Sequence, residues 1–422
     1  MSSATRRAGR LRDLPGFLRF WTASTVSDFG TYISTIAIQV IVVDTLHEGA
    51  GSVGLVSAAR WLPYPVLGLV AGVLVDRSSR RPLLVATDLI RGLLFVALPV
   101  LALGHHLSLV ALMIFMAAFG MTSLVNDAAS QSLVPRLVPA DQLVRANARL
   151  DQSGALAQTS GPAAGGGLVA LLTAPWAVLI DAASYLVSGF LLLRMPLSEP
   201  PRVPAPARDA RREAVEGLQW IYKHATLRPL ALSTHGWFLC NAVAGTVLPL
   251  FVLRTLDVNA LGYGVVLSIG GVGAVVGSGV AAQLGTHVGC GRVVVASRAV
   301  TAVSWALIAL SGHDLMGVVS LGAGQFLLGL SMGAENANEL SYWQVMTPDA
   351  LQGRVNATRR SINRSMLVIG APVGGFLADA IGYRVALWSA STGFLVVAAT
   401  LGLSQFRHVR IDHSPSGEPM TS

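Results

Sequence analysis

Gly72-Val-Leu-Val-Asp76-Arg77-Ser-Ser-Arg80-Arg81 is a short, strongly charged turn between two long apolar stretches. In a chain of 422 residues that is 53% hydrophobic and only 12% charged, such a turn belongs at a membrane surface. Soluble domains carry about 25% charged residues, so a string of them would have too little charge for its own surface. The composition predicts an all-α polytopic membrane protein. The net charge of +8 is spread over many loops and gathers on no single basic face, which argues against a nucleic-acid partner.

A bilayer core about 30 Å thick needs about 20 apolar residues per helix. Working outward from the turn, twelve segments meet that need, over 18–45, 51–75, 83–103, 108–131, 149–172, 175–194, 229–253, 260–285, 293–311, 316–342, 356–380 and 384–404. Arginine concentrates in alternate connections: Arg6, Arg7, Arg10, Arg12 and Arg19; Arg77, Arg80 and Arg81; Arg136, Arg145 and Arg149; Arg292; Arg354, Arg359 and Arg360; Arg407 and Arg410. The opposite flanks offer little beyond Arg254 and Arg384. By the positive-inside rule both termini are expected in the cytoplasm of a multi-pass cell-membrane protein. The basic N-terminus lacks an apolar core with a cleavage site, so it reads as a retained flank.

The longest polar connection divides the segments six and six, giving an N-terminal bundle (1–195), a linker (196–228) and a C-terminal bundle (229–422). The linker starts as a Pro-rich tether and ends in RREAVEGLQWIYKH, which predicts an amphipathic helix, either on the membrane surface or packed on neighbouring loops. The two halves also echo each other. At one constant offset Pro139, Arg145, Asn147, Ala148, Gly161, Gly165, Gly166 and Leu168 fall on Pro348, Arg354, Asn356, Ala357, Gly370, Gly374, Gly375 and Leu377. Segment five therefore corresponds to segment eleven, and parallel six-helix repeats around a central cavity are a transporter architecture.

The turn Gly72 to Arg81 resembles the loop between helices two and three of the major facilitator superfamily, Gly-x-Leu-Ala-Asp-Arg-x-Gly-Arg-Arg, with Ser79 in place of the second glycine. The resemblance covers nearly the whole chain and implies that Gly72, Asp76, Arg77, Arg80 and Arg81 latch the outward-facing state. Gly161-Pro162-Ala-Ala-Gly165-Gly166 resembles the helix-five signature of the superfamily's antiporters, although Ala157 stands at its leading glycine. Phe17-Leu-Arg-Phe-Trp21, Ala86-Thr-Asp88-Leu-Ile-Arg91, Leu137 to Ala148 and Asp181-Ala-Ala-Ser-Tyr185 are similar to the branch holding macrolide-efflux and enterobactin-exporter proteins. The drug-exporter arginine of helix four is missing, and Met116 occupies its place. The second half's counterpart of the latch, Leu284 to Arg292, has no aspartate and a single arginine, so any latch acts on one side of a duplicated machine.

Ionisable residues inside membrane helices cost about 2.5–3.5 kcal/mol each and are functional candidates by default. At a rise of about 1.5 Å per residue, Asp28 lies about 14 Å into segment one. Asp127 and Glu339 are at a similar depth, with Glu335 one turn further out and Arg60 near the middle of segment two. Asp28, Asp127, Glu335, Glu339 and Arg60 are the candidates for proton coupling or substrate binding, and Asp28 could instead pair with Arg60. Asp88 with Arg91, and Glu339 with Arg364, are expected structural ion pairs, which would leave Glu335 the freer carboxylate. Asp181 is expected to snorkel toward the nearer surface, and Trp21, Trp61, Trp176 and Trp388 to anchor helix ends at the interface.

Neither Cys240 with Cys290 nor His105 with His106 has metal-site spacing, and no phosphate-binding loop precedes a helix, so no cofactor, metal or ATP drive is expected. No nucleophile, base and orienting group recur at one depth, which argues against an enzyme. The expected function is secondary transport: export of a small amphipathic compound such as a drug in exchange for protons, by a monomer, with a dedicated siderophore or natural-product exporter as the alternative. A sensor or scaffold keeping the fold without transport is the reading of another class, favoured where the intramembrane carboxylates are all paired and no open central cavity is left.

Overall fold

The computed structural model describes Leu11, residues 14–196 and residues 210–410. Arg6, Arg7, Arg10, Arg12 and nearly all of the Pro-rich tether lie outside the described residues, as does the side chain of Asp76. Among the described residues fourteen α-helices follow one another. The first seven are α1 (Pro15–Val40), α2 (Ala50–Trp61), α3 (Pro63–Arg77), α4 (Arg80–Leu103), α5 (Leu109–Leu137), α6 (Leu143–Leu172) and α7 (Ala174–Leu193). They continue with α8 (Ala210–Lys223), α9 (Leu227–Leu250), α10 (Ala260–Val288), α11 (Cys290–Leu310), α12 (Leu315–Met346), α13 (Asp349–Ile381) and α14 (Tyr383–Leu403).

All twelve expected segments are helical, but the second is two helices: α2 ends at Trp61 and α3 starts with Pro63, whose ring cannot donate to the helix ladder. Among the described residues ten helices are long and apolar enough to cross a membrane. The short pieces α2 and α3 fall below that length. The long α6 falls short because arginines, glutamines and a glycine run dilute its apolar residues. Starts are fixed by proline at Pro15 and Pro63 and by side-chain caps, with Ser108 accepting from Ala111, Asn259 from Gly262 and Asp314 from Gly317.

The internal echo extends beyond the sequence identities. Helices α1 and α9 both finish in a single π-turn, Ile41–Thr45 and Phe251–Thr255, followed by a left-handed residue, His47 (φ 54°) and Asp257 (φ 50°). Helices α6 and α13 run into α7 and α14 through single residues of positive φ, Thr173 (68°) and Gly382 (90°). A Cβ on Gly161 or Gly165 would run into Tyr32 or Ile33 of α1, and one on Gly370 or Gly374 into Leu239 or Val243 of α9. Gly166 abuts the backbone of Ala260, and Gly375 that of Ala50. Small residues here let backbones touch, as membrane helix packing requires.

Those last contacts join the halves at one end of the molecule, where α6 packs on α10 and α2 on α13. The Asp379 carboxylate adds hydrogen bonds from the Ala50 and Gly51 amides at 2.9 and 2.8 Å, and Arg254 donates to the Val43 carbonyl at 2.6 Å. A single apolar core spans both halves there, including Val40 to Val43 and Leu250 to Leu253. At the opposite end the core divides, one cluster around Phe17, Leu133 and Leu192 and another around Ile221, Trp343 and Phe406. The molecule is thus sealed at one end and parted at the other.

The helix α8 forms where the linker pattern predicts it. It docks on the start of α13, with Glu216 paired to Arg354, Gly217 against the Arg354 backbone and Ile221 buried.

Candidate functional site

Between the halves lies a cavity of two adjoining lobes. The larger, about 860 Å³, is walled by α1, α2, α9, α12 and α13, and the smaller, about 520 Å³, mainly by helices of the first half. Arg60, Trp61 and Arg364 line both and form the junction.

The larger lobe is polar toward α11 and α12. Arg298, 1% exposed, places its Nη2 2.7 Å from Glu335 and 3.0 Å from Glu339. Glu339 also accepts from Arg359 at 3.3 Å, from Thr234 at 3.1 Å and from the Trp343 indole at 3.2 Å. Two carboxylates one helical turn apart share one buried guanidinium, the pairing that makes ions tolerable out of water. Each carboxylate would be left badly placed without Arg298. Arg364 pairs with neither: it lies over the Trp61 ring at 4.0 Å and beside Tyr64 at 5.3 Å. The expected Glu339–Arg364 pair is therefore corrected, and Glu335 is not the freer group. Arg364 points across the cavity to α2, while Arg298 and Arg359 reach Glu339 from either side.

The smaller lobe holds Asp28, Asp127 and Asp151. The Tyr64 hydroxyl donates to Asp127 at 2.8 Å. Among the described residues no guanidinium lies within ion-pair distance of Asp28, so the alternative pair with Arg60 is not formed. Arg60 packs against Trp61 and Phe119, each 5.2 Å from its guanidinium. Asp88 and Arg91 do meet, at 3.6 Å, and Asn126 and Ser188 complete the hydrogen bonds of Asp88 at 3.0 and 2.6 Å.

Two expectations fail on burial. Trp61 is no interface anchor, since the break after α2 puts it at the cavity junction. Asp181 does not snorkel: it is 0% exposed, facing Gly30 of α1 with Ser184 donating to it at 2.8 Å. Arg359 and Arg360, expected among the charges of the cytoplasmic side, lie within α13 and line the cavity wall. Their spacing to Arg364, along one helix, was the available signal. Met116 lines the larger lobe and supplies no charge there.

The latch turn has mixed placement. Arg81 donates to the Leu192 carbonyl at 3.1 Å and also to that of Leu193, capping the end of α7. A Cβ on Gly72 would meet nothing within 4 Å, so this face of α3 is open at that point.

A cavity between paired helical halves, closed at one end, is the architecture of a carrier. The fold matches that of a bacterial homologue of the iron transporter ferroportin in an inward-facing state, with TM-score 0.74 at 14% identity over 92% of this chain and 97% of that one. The family described as transmembrane secretion effector matches residues 13–421, and the chain belongs to this family of major facilitator secondary transporters. Relatives include the uncharacterized MFS-type transporter y4rN of Sinorhizobium fredii, 26% identical over 398 residues, 93% of this chain and 96% of that protein. The enterobactin exporter EntS of Shigella dysenteriae is 26% identical over 383 residues, 89% of this chain and 88% of that protein. The protein is thus a multi-pass membrane transporter and not an enzyme.

Proposed function

We propose that the protein exports a small amphipathic compound by alternating access, in exchange for protons. The observation that carries this reading is a cavity open toward one end only, lined by aromatic rings together with carboxylates at membrane depth. The parted end carries the arginine-rich connections, so the positive-inside rule assigns it to the cytoplasm and makes this state inward-facing, with both termini cytoplasmic. Cargo would enter from the cytoplasm, and rocking of residues 1–195 against 229–422, joined by the 196–228 linker, would turn it outward. The glycine and proline run Gly161, Pro162, Gly165 and Gly166, with its echo in α13, forms the sliding surface. Gly72, Asp76, Arg77, Arg80 and Arg81 would latch the opposite state, and the unit of transport is the monomer.

Protons have two candidate stations. Asp28 faces the smaller lobe with no basic partner among the described residues, and Glu335 with Glu339 shares one Arg298, so a proton on either glutamate would loosen a buried network. The likeness to EntS, named as an enterobactin exporter, favours a dedicated siderophore or natural-product cargo as the second reading. In everted vesicles, cargo accumulation should collapse when the pH gradient is dissipated and the electrical potential retained. Accumulation indifferent to that gradient sinks the proton part, and normal transport by Asp28→Asn removes Asp28 from coupling.

A further inference from the structure

The cavity charges that lack an ion-pair partner among the described residues carry a pattern of their own. Asp88 with Arg91, and Arg298 and Arg359 with Glu335 and Glu339, are satisfied within the protein. Among the described residues no carboxylate is within ion-pair distance of Arg60, Arg360 or Arg364, and no guanidinium is within that distance of Asp28, Asp127 or Asp151. The cations sit at the lobe junction and in the larger lobe, and the three aspartates in the smaller lobe. Arg60 on α2 and Arg364 on α13 converge from opposite halves on one ring, that of Trp61, at 5.2 and 4.0 Å. Two guanidinium groups facing one indole leave positive charge at membrane depth that an anion would neutralise.

This set of three arginines and three aspartates is balanced in number and separated in space. A purely anionic guest would answer the arginines but lie beside three aspartates, and a purely cationic guest would face the reverse. A guest with both charges answers both walls without changing the net charge of the cavity. Trp61, Tyr64 and Phe119 at the junction offer a flat apolar surface for a ring between the charged ends.

We propose that the cargo is a zwitterion with an aromatic body, its anionic group seated on Arg60 and Arg364 beside Trp61 and its cationic group in the lobe of Asp28 and Asp127. This rests on the transport reading above and gives its exchange a physical basis: the cationic group and a proton compete for the same carboxylates, so loading one displaces the other.

The full chain in lipid nanodiscs is titrated with three fluorescent probes of one scaffold. These are 6-(aminomethyl)-2-naphthoic acid, a zwitterion with its ring between the charges, its N-acetyl derivative, an anion, and its methyl ester, a cation. The zwitterion should bind about tenfold tighter than either single-charge probe, the discrimination one charge-assisted contact supplies. Arg364→Gln should erase its advantage over the ester, and Asp28→Asn its advantage over the acetyl derivative, with both variants keeping the parent melting temperature. Arg364→Lys, which keeps the charge, should retain part of the first preference. Equal binding of the three probes, absent binding, or a ranking that neither variant alters overturns the proposal. An intact ranking in a protein whose vesicles show no pH-driven accumulation would instead overturn the exchange reading and leave the cargo class standing.

Discussion

Removing the Asp379 carboxylate should unseal the closed end. Its two oxygens accept from the first amides of α2, Ala50 at 2.9 Å and Gly51 at 2.8 Å, across the boundary between the halves. Those amides have no partner inside their own helix, and the positive end of the helix dipole lies with them. A hydrogen bond to a charged group contributes about 1.5–3 kcal/mol and the dipole up to about 2 kcal/mol, and because the terms overlap we take about 2–4 kcal/mol for the whole contact. The contact exists only when this end is shut, so its loss shifts the equilibrium toward the opposite state by roughly 30- to 1000-fold. The position matching Asp379 in α6 is Ala170, so the α6–α10 seam has no equivalent carboxylate to compensate. The assay is labelling of a Thr35→Cys reporter, in the cavity wall, by an impermeant maleimide applied from the sealed side, with Cys240 and Cys290 replaced by serine. Asp379→Ala should raise the labelling rate at least tenfold, and Asp379→Asn by less, since one acceptor remains. Unchanged labelling in both variants would refute the gate role and leave the carboxylate a plain helix cap.

Glu339→Gln should lower stability by about 3–5 kcal/mol, because Arg298 and Arg359 lose a shared buried partner; a thermal shift in nanodiscs measures it, and a loss under 1 kcal/mol contradicts the network described. Thr173 holds φ 68° and ψ 159°, a region that suits glycine, whereas Gly382 holds the matching turn of the second half. Thr173→Gly should therefore gain about 1 kcal/mol, and Gly382→Thr should lose stability, both read by melting temperature. Gly72→Val should leave the melting temperature unchanged, because a Cβ there meets open space, yet impair transport if α3 closes against another helix in the outward-facing state. Full transport by that variant would reduce the turn to a topology signal.

Much of the fold was legible because membrane helices are written in long apolar runs and the bilayer allows few alternatives. Arginine placement, the charged turn at Gly72 to Arg81 and the identities relating α6 to α13 gave the superfamily. The helix α8 was legible for the same reason, as an amphipathic period. Pairing of charges was not. Glu339 and Arg364 have compatible depths, but depth says nothing of which face of α13 turns toward α12, and that rotation sends Arg364 to Trp61 and Arg298 to the glutamates. Asp181 looked able to reach the surface by its position in the chain, and only the packing of α7 against α1 encloses it. The number of apolar segments, the repeat and the family follow from the chain alone, since these depend on hydrophobicity and local spacing. The partners of each buried charge and the shut end of the cavity emerge only once the helices are packed, since both depend on the rotation and tilt of helices far apart in the chain.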